Sequence, residues 1–559
     1  MGGRHARREV SVGRDRQPAP IVRGAFLNDI LVRIGMGLVI AVLLLLFIGS
    51  LAETYGFPSN GLERSRAMGV LEAILSVPAS MALACLLLLL CRRLERTSPR
   101  AITHICCVVA VSVAICWAAL FQASKPVADQ MLLVRCAKML VGGDYQGLQE
   151  QGYLLWHPYQ SGYMLLDAAI GYLFGFANWT ALRLPGIASA PALIWVLSRL
   201  VDEALGHPEA SALTSVMATS FLPISLYSTF IYGNMPSLTL SLLGFLCQVR
   251  AIRYAGDRSL GFRWGLASVF CISAAVWLKP NSTIFLVALE IVWVCAALSK
   301  RTIMCAGMLV LSLLGYCVGT QAPIAVVEMV SGVDLGAGIP KAAWATMGLM
   351  DTSKRGAGWY NGYVEKFRPY AKANTTEATN EANELATADL EARIGELLND
   401  PSQAVRIFAF KLQSQWAEPT FQALWLSYHG DYPPPWGGEG ELSEGIDYDS
   451  VLQRTFLLGK GNKLLILFLD GLQTLVYAGS VVGSLLLCKE RTRLWRLGLP
   501  IAFMGGFIFH MVWEAKSCYV LSYFILLIPL AAIGVQATGK HIKARRAHGL
   551  RSGSGHQEG

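Results

Sequence analysis

A chain of 559 residues that is 54% hydrophobic and only 15% charged, with a mean hydropathy of +0.45, is not built as a water-soluble globule. Its formal charge of +9 is spread over short basic segments beside apolar runs, the pattern of membrane-orientation charge, which argues against a nucleic-acid partner. Its thirteen cysteines lie in or beside hydrophobic segments without zinc-ligand spacing, so a disulfide-stapled fold is excluded and only a Cys136–Cys518 bridge stays open.

In chain order, residues 1–32 are polar and Arg-rich, and no small-residue cleavage site closely follows the apolar run from Met36. A cytoplasmic basic tail is expected there, not a cleaved signal peptide. Spanning helices are expected near 33–52, 69–91, 101–121, 161–177, 183–201, 210–231, 236–254, 264–279, 281–298, 302–321, 462–488, 496–513 and 518–538. The chain then divides into N-terminal transmembrane helices at 33–121, a first large external loop at 122–160 and central transmembrane helices at 161–321. An external domain at 322–459, C-terminal transmembrane helices at 460–538 and a second cytoplasmic basic tail at 539–559 follow. The fold class is an all-α polytopic membrane protein, a bundle of about 12–14 transmembrane helices with an external loop domain.

Positive-inside bookkeeping places both termini in the cytoplasm, with the turns Arg92, Arg93, Arg96, Arg100; Lys300, Arg301; and Lys489, Arg491, Arg493, Arg496. Thirteen crossings cannot satisfy that, and the basic turn Arg250, Arg253, Arg258, Arg263 also demands the cytoplasmic side. One segment is over-read. The first suspect is 210–231, where Pro223 breaks the helix, and the second is 161–177, which is barely long enough to span.

In the first external loop, Asp129 follows the third span closely, and a partly desolvated carboxylate at the membrane surface suits a base or a cation ligand. The run from Asp129 to Leu140 reads as a short interfacial helix that Asp129 can also cap. Asp144 in "GGDYQG" reads as a turn residue, while His157 and Gln160 in "WHPYQSGY" introduce the next helix, His157 as acid, base or phosphate partner. Lys279 in "VWLKPNST" lies at the external end of a helical hairpin, where it can meet an anionic lipid phosphate or simply snorkel. Asn234 in "YGNMPS" can orient a sugar hydroxyl or form a turn. Glu514, Lys516, Tyr519 and Tyr523 crowd one external turn between the last two spans, a carbohydrate or phosphate site in composition. Within the external domain, Thr375 to Asp400 has helical composition, and the aromatic-rich run "QSQWAEPTFQALWLSYHGDYPPPWGG" contains Trp416. No Walker loop, dinucleotide fingerprint, His-Glu-x-x-His or nucleophile elbow is present.

The order of "ADQ", "HPYQSGY", "RLP", "YGNMP", "LKPN" and the ending "GGFIFHMVWEAKSCYVLSYFILLIPLAAIG" resembles the GT-C superfamily of polytopic glycosyltransferases. The likeness is to bacterial relatives of protein O-mannosyltransferases and of the lipid A aminoarabinose transferase. It implies a polyprenyl-phosphate sugar donor, a glycan, lipid or protein acceptor in the cell envelope, and a place in the bacterial plasma membrane. By motif position, Asp129 would be the general base, and Lys279 with Lys516 would bind the donor phosphate. His157, Gln160, Asn234, Glu514 and Tyr519 would contact substrate, and Trp416, with Trp156, Tyr159, Trp359 and Trp425, would stack on sugar. The resemblance implies no certain cofactor. A divalent cation stays open, weakened by Gln130 where relatives with an Asp-Glu pair carry a second carboxylate. A transporter or flippase for a lipid-linked glycan is the alternative, and a structural component of an envelope complex the third reading.

Overall fold

In a computed structural model, residues 22–57, 65–94, 97–122, 126, 128–300, 302–351, 355–427, 450–457, 459–489 and 497–553 are described. Most of the N-terminal tail, Arg96, Arg301, Arg491, Arg493, Arg496 and the run 428–449 lie outside them. In chain order the helices are α1 Val22–Ala52, α2 Val70–Leu94, α3 Pro99–Leu120, α4 Asp129–Gly142, α5 Tyr145–Gln151, α6 Tyr153–Trp156, α7 Ser161–Phe174 and α8 Trp179–Leu200. There follow α9 Ser211–Ser220, α10 Pro223–Leu226, α11 Asn234–Arg253, α12 Arg258–Leu278, α13 Thr283–Lys300 and α14 Ile303–Ser331. Next are α15 Lys341–Gly348, α16 Arg368–Ala373, α17 Thr376–Asn399, α18 Pro401–Trp416, α19 Ala423–Ser427 and α20 Val451–Leu457. The last are α21 Lys460–Lys489, α22 Gly498–Val512, α23 Ser517–Ile525 and α24 Leu527–Gly553. A two-residue ribbon, Tyr55–Gly56 against Arg66–Ala67, is the one sheet among the described residues.

Among the described residues, eight helices are long and apolar enough to cross a membrane: Val32–Ala52, Pro99–Leu120, Trp179–Leu205, Asn234–Arg253, Arg258–Leu278, Pro280–Ser299, Ile303–Ser331 and Lys460–Lys489. Two more apolar stretches are bent pairs, Pro208–Ser220 with Pro223–Thr229 at 56° and Ser517–Ile525 with Leu527–Arg545 at 48°. Shorter apolar helices, Ile74–Leu90 and Gly498–Val512, complete the set. Large apolar side chains such as Ile48, Val108, Phe270, Val310 and Leu314 face outward, as a helix bundle solvated by lipid requires. The chain is an all-α polytopic membrane protein.

The parity conflict resolves against 161–177. The hydroxyl of Thr103, early in α3, meets Ser198 Oγ, late in α8, at 3.0 Å, while Arg183 at the start of α8 donates to Phe121 O at 2.9 Å. Helices α3 and α8 are therefore antiparallel neighbours, and residues 121–178 begin and end at one end of the bundle. At 14 residues, α7 is about 21 Å long against a hydrocarbon core of about 30 Å, and it does not cross. The segment 210–231 is broken at Pro223, as its sequence requires, yet it still runs the length of α3: Ser215 Oγ lies 2.9 Å from Thr103 Oγ1, and Ser228 Oγ donates to Ala114 O at 3.0 Å. The primary suspect is a bent apolar pair that follows α3 from Thr103 to Ala114, and the secondary one is too short to span.

The opposite end is closed by charge. Arg250 grips Glu203 with Nε at 2.9 Å and Nη2 at 2.8 Å, Arg199 approaches the same carboxylate at 2.7 Å, and Lys540 meets Glu209 at 3.0 Å. Thr54 donates to Asp470 at 2.7 Å and Ser50 lies 3.2 Å from Thr474, so α1 is antiparallel to α21. Helices α21 and α24 touch backbone to backbone: a Cβ on Gly479, Gly483 or Gly534 would collide with main-chain atoms of the partner helix. Helix α24 runs to the charged end, where Lys540 meets Glu209, while the residues after α1 lie at the other end, where Tyr55 N–H donates to Ala417 O at 2.8 Å.

Candidate functional site

Every expected site residue except Trp416 gathers at the end of the bundle where α3 stops and α8 starts. Asp129 is the first residue of α4, and the turn before it is forced: Ala128 takes φ 55° and ψ −138°, a region L-residues rarely adopt. The helix N-cap is thus Ala128, not Asp129, and the exposed Asp129 carboxylate sits in the first turn, where the helix dipole favours negative charge. Gln130 points inward, 1% exposed, and its Oε1 accepts the backbone N–H of Ile231 at 2.8 Å. Asp144 caps α5 by accepting from Gly147 N at 3.0 Å.

Lys279 separates α12 from the 3-10 turn Pro280–Ser282. Its extended backbone (φ −155°) is what a residue before proline prefers, so the sequence Lys-Pro ends one helix and starts the next. Its Nζ lies 4.3 Å above the Tyr232 ring. Burial lowers the ammonium to about 8, against the opposing influence of Cys518 and Asp129. The field of Asp129 also reaches Tyr153, Tyr159, Tyr232 and Tyr519, so residues far apart in the chain share one electrostatic neighbourhood.

The third contribution is the turn between α22 and α23. Glu514, 5% exposed, accepts from Tyr519 Oη at 3.2 Å and pairs with Lys516 at 3.7 Å, and Lys516 in turn lies 5.8 Å from the Tyr519 ring centre. Asn234 Nδ2 donates to Cys518 O at 3.4 Å, while its Oδ1 is buried without a hydrogen-bond partner. Gln160 Nε2 donates to the hydroxyl of Tyr232.

Three expectations are corrected. Trp416, 1% exposed, packs against Phe503 and Phe507 at 5.8 and 5.7 Å between ring centres, so it is core and presents no face to a sugar. His157 sits among the rings of Tyr153, Tyr159 and Trp344, and burial, with Arg368 adding to it, lowers its imidazole to about 3. That shift disfavours the protonated ring near pH 7, against the expectation of an acid there. No disulfide joins Cys136 and Cys518, and Cys136 Sγ donates to Gln151 Oε1 at 2.9 Å. Among the described residues, no group of three His, Cys, Asp or Glu side chains is placed to hold a metal ion.

Three supporting residues carried no sequence signal. Lys411 in α18, fully buried, donates to Gly348 O at 2.6 Å and Trp513 O at 2.8 Å, fastening the 322–459 segment to the Glu514 turn. Burial lowers its ammonium to about 7, opposed by Glu514. Glu418, also fully buried, accepts from Thr420 N, Gln422 N and Ser517 Oγ at 3.0, 2.7 and 2.8 Å, and holds a loop in which Phe421 and Gln422 both have positive φ. The third is Tyr232, inside a motif that drew attention only to Asn234.

No family model matches the chain, and no curated protein matches it. Among solved structures it is similar to the Archaeoglobus fulgidus oligosaccharyltransferase in the apo form, at 10% identity and a TM-score of 0.40. It is also similar to the oligosaccharyltransferase AglB from the same organism in complex with an inhibitory peptide and a dolichol-phosphate, at 13% identity and a TM-score of 0.40. Each alignment covers 82% of this chain and 52% of that one, so the chain spans about half the length of those structures.

Proposed function

We propose that the chain is a GT-C-type membrane glycosyltransferase that moves a hexosyl or pentosyl unit from a polyprenyl-phosphate donor to a cell-envelope acceptor on the external side of a bacterial plasma membrane. The observation that supports this reading is that Asp129, at the start of α4, and Lys279, at the hairpin between α12 and α13, share one electrostatic neighbourhood at one end of an apolar bundle. The basic turns at the opposite end favour the cytoplasmic side for both termini, and with it the external side for the site and for the 322–459 domain.

The chemistry follows from the charges. An acceptor hydroxyl attacks the anomeric carbon, the carbon–oxygen bond to phosphate breaks, and the polyprenyl phosphate leaves as an anion. Asp129 takes the hydroxyl proton. Lys279 compensates the phosphate charge, and Lys516, steadied by Glu514, supplies a second cation. Asn234 Oδ1, Gln160 and Tyr519 line the approach of the sugar.

The test is a single-turnover assay on the full-length protein in lipid nanodiscs, with a polyprenyl-phosphate sugar and envelope acceptors. Asp129→Asn should insert normally, keep donor binding and lose about 10²–10⁴-fold in transfer. Undiminished transfer by that variant removes the proposal. Movement of a lipid-linked glycan across the bilayer with no new glycosidic bond would establish the transporter reading instead.

A further inference from the structure

Tyr232 joins three of the segments that build the site. It is 8% exposed and fixed on every side: Phe230 stacks on it at 5.2 Å, Tyr163 lies 6.2 Å away, and its hydroxyl accepts from Gln160. One residue earlier, Ile231 N–H is held by Gln130 of α4. One residue later, Gly233 lies so close to Leu278 O that a Cβ there would collide with it, which seats the break directly on the lysine turn. The ring face is left to the cation, with Lys279 Nζ 4.3 Å from its centre.

We propose that Tyr232 is a positioning residue whose ring receives the Lys279 ammonium and holds it at a fixed place relative to Asp129, the ring itself being locked by Gln160 at its hydroxyl and by Gln130 through Ile231. A half-buried ammonium has lost much of its water, and the electron-rich ring face replaces part of that solvation without neutralising the charge, as a carboxylate partner would. The cation therefore stays able to attract a phosphate. Gln130 gains a reason here as well: as an uncharged acceptor it ties α4 to the Tyr232 segment without burying a carboxylate there.

The charged and titratable groups in the field of Lys279 are Asp129 from α4, Cys518 from α23 and His510 from α22. Tyr232 shares the field of Asp129, so the comparison that reports the ring alone is a series that keeps its shape and varies only its negative face. The inference rests on the proposed function only where it makes Lys279 a phosphate ligand. The first measurement does not need that role.

Full-length protein in nanodiscs is labelled with acetic anhydride across a pH series, and the modification of Lys279 is read by mass spectrometry. The wild-type midpoint is expected near 8. Tyr232→Phe keeps the ring and loses the Gln160 lock, so it should lower the midpoint less than Tyr232→Leu, which should lower it by roughly half to one and a half units. Because leucine can disturb packing, a second series uses Tyr232→Phe with one, two and three ring fluorines, which keep the shape and weaken the ring's negative face. The midpoint should fall stepwise with fluorine number, and a midpoint constant along that series overturns the proposal. In parallel, binding of a short-chain polyprenyl monophosphate is titrated with pH. A binding midpoint that tracks the labelling midpoint supports both roles of Lys279. A labelling shift with no phosphate binding in any variant leaves Tyr232 as the cation's holder and removes the donor-phosphate reading.

Discussion

At residue scale, Lys279 sets an alkaline pH limit on the proposed transfer. Lys279 is cationic below about 8 and loses its charge as pH rises through that value, so donor-phosphate affinity and kcat/KM should fall on the alkaline side with a midpoint there. Lys279→Met should abolish that limb and lower kcat/KM by about 10²–10³-fold, measured in a pH-rate profile of the wild type and variant. His157 behaves in the opposite manner. With its imidazole lowered to about 3, it contributes no limb near neutrality, so His157→Gln should leave the acidic limb unmoved and change activity far less than Asp129→Asn does. A displaced acidic limb in His157→Gln would contradict the placement of that ring among Tyr153, Tyr159 and Trp344. The sequence showed a histidine in a loop, while its protonation was decided by what packed around it.

At the scale of elements, the turn that carries Glu514 and Lys516 is only as steady as its attachments. The ammonium of Lys411 fastens α18 to the carbonyls of Gly348 and Trp513, directly before Glu514, and Ala515 N–H adds a bond to Gly358 O at 2.7 Å. Lys411→Met leaves two buried carbonyls without their donor and should cost about 1–3 kcal/mol of local stability. It should be read as faster hydrogen exchange in α15 and at residues 513–516. The pH dependence has a definite sign. Lys411 is lowered to about 7 from an ordinary value of 10.5, so between these the opened state binds more protons than the docked one. Docking therefore strengthens as pH rises through that window, and the variant should lose this slope. None of this was visible in "RIFAFKLQSQW", where Lys411 reads as one more charged residue on an amphipathic helix, because the partners lie 63 and 102 residues away.

At the scale of the molecule, the antiparallel pairing of α3 and α8 makes residues 121–178 an excursion that returns to the side it left. Single cysteines introduced at Glu150 and Thr180 in a cysteine-free background should react with an impermeant maleimide from the same face of the membrane. One at Gly256, between α11 and α12, should react from the other face. Labelling of positions 150 and 180 from opposite faces would require α7 to cross and would dismantle the topology.

The sequence alone determined that this is a helical membrane protein and where most of its apolar helices lie, because apolar length against bilayer thickness is a local property that each segment carries by itself. It also marked the breaks at which polar residues collect, since proline and glycine interrupt helices wherever they fall. Which apolar segment failed to cross, that Trp416 turned into the core, that Gln130 reached Ile231 and that Lys279 came to rest on Tyr232 were decided only by tertiary structure. Those outcomes depend on which helix faces meet, and contact between residues a hundred positions apart leaves no periodicity along the chain from which it could be read.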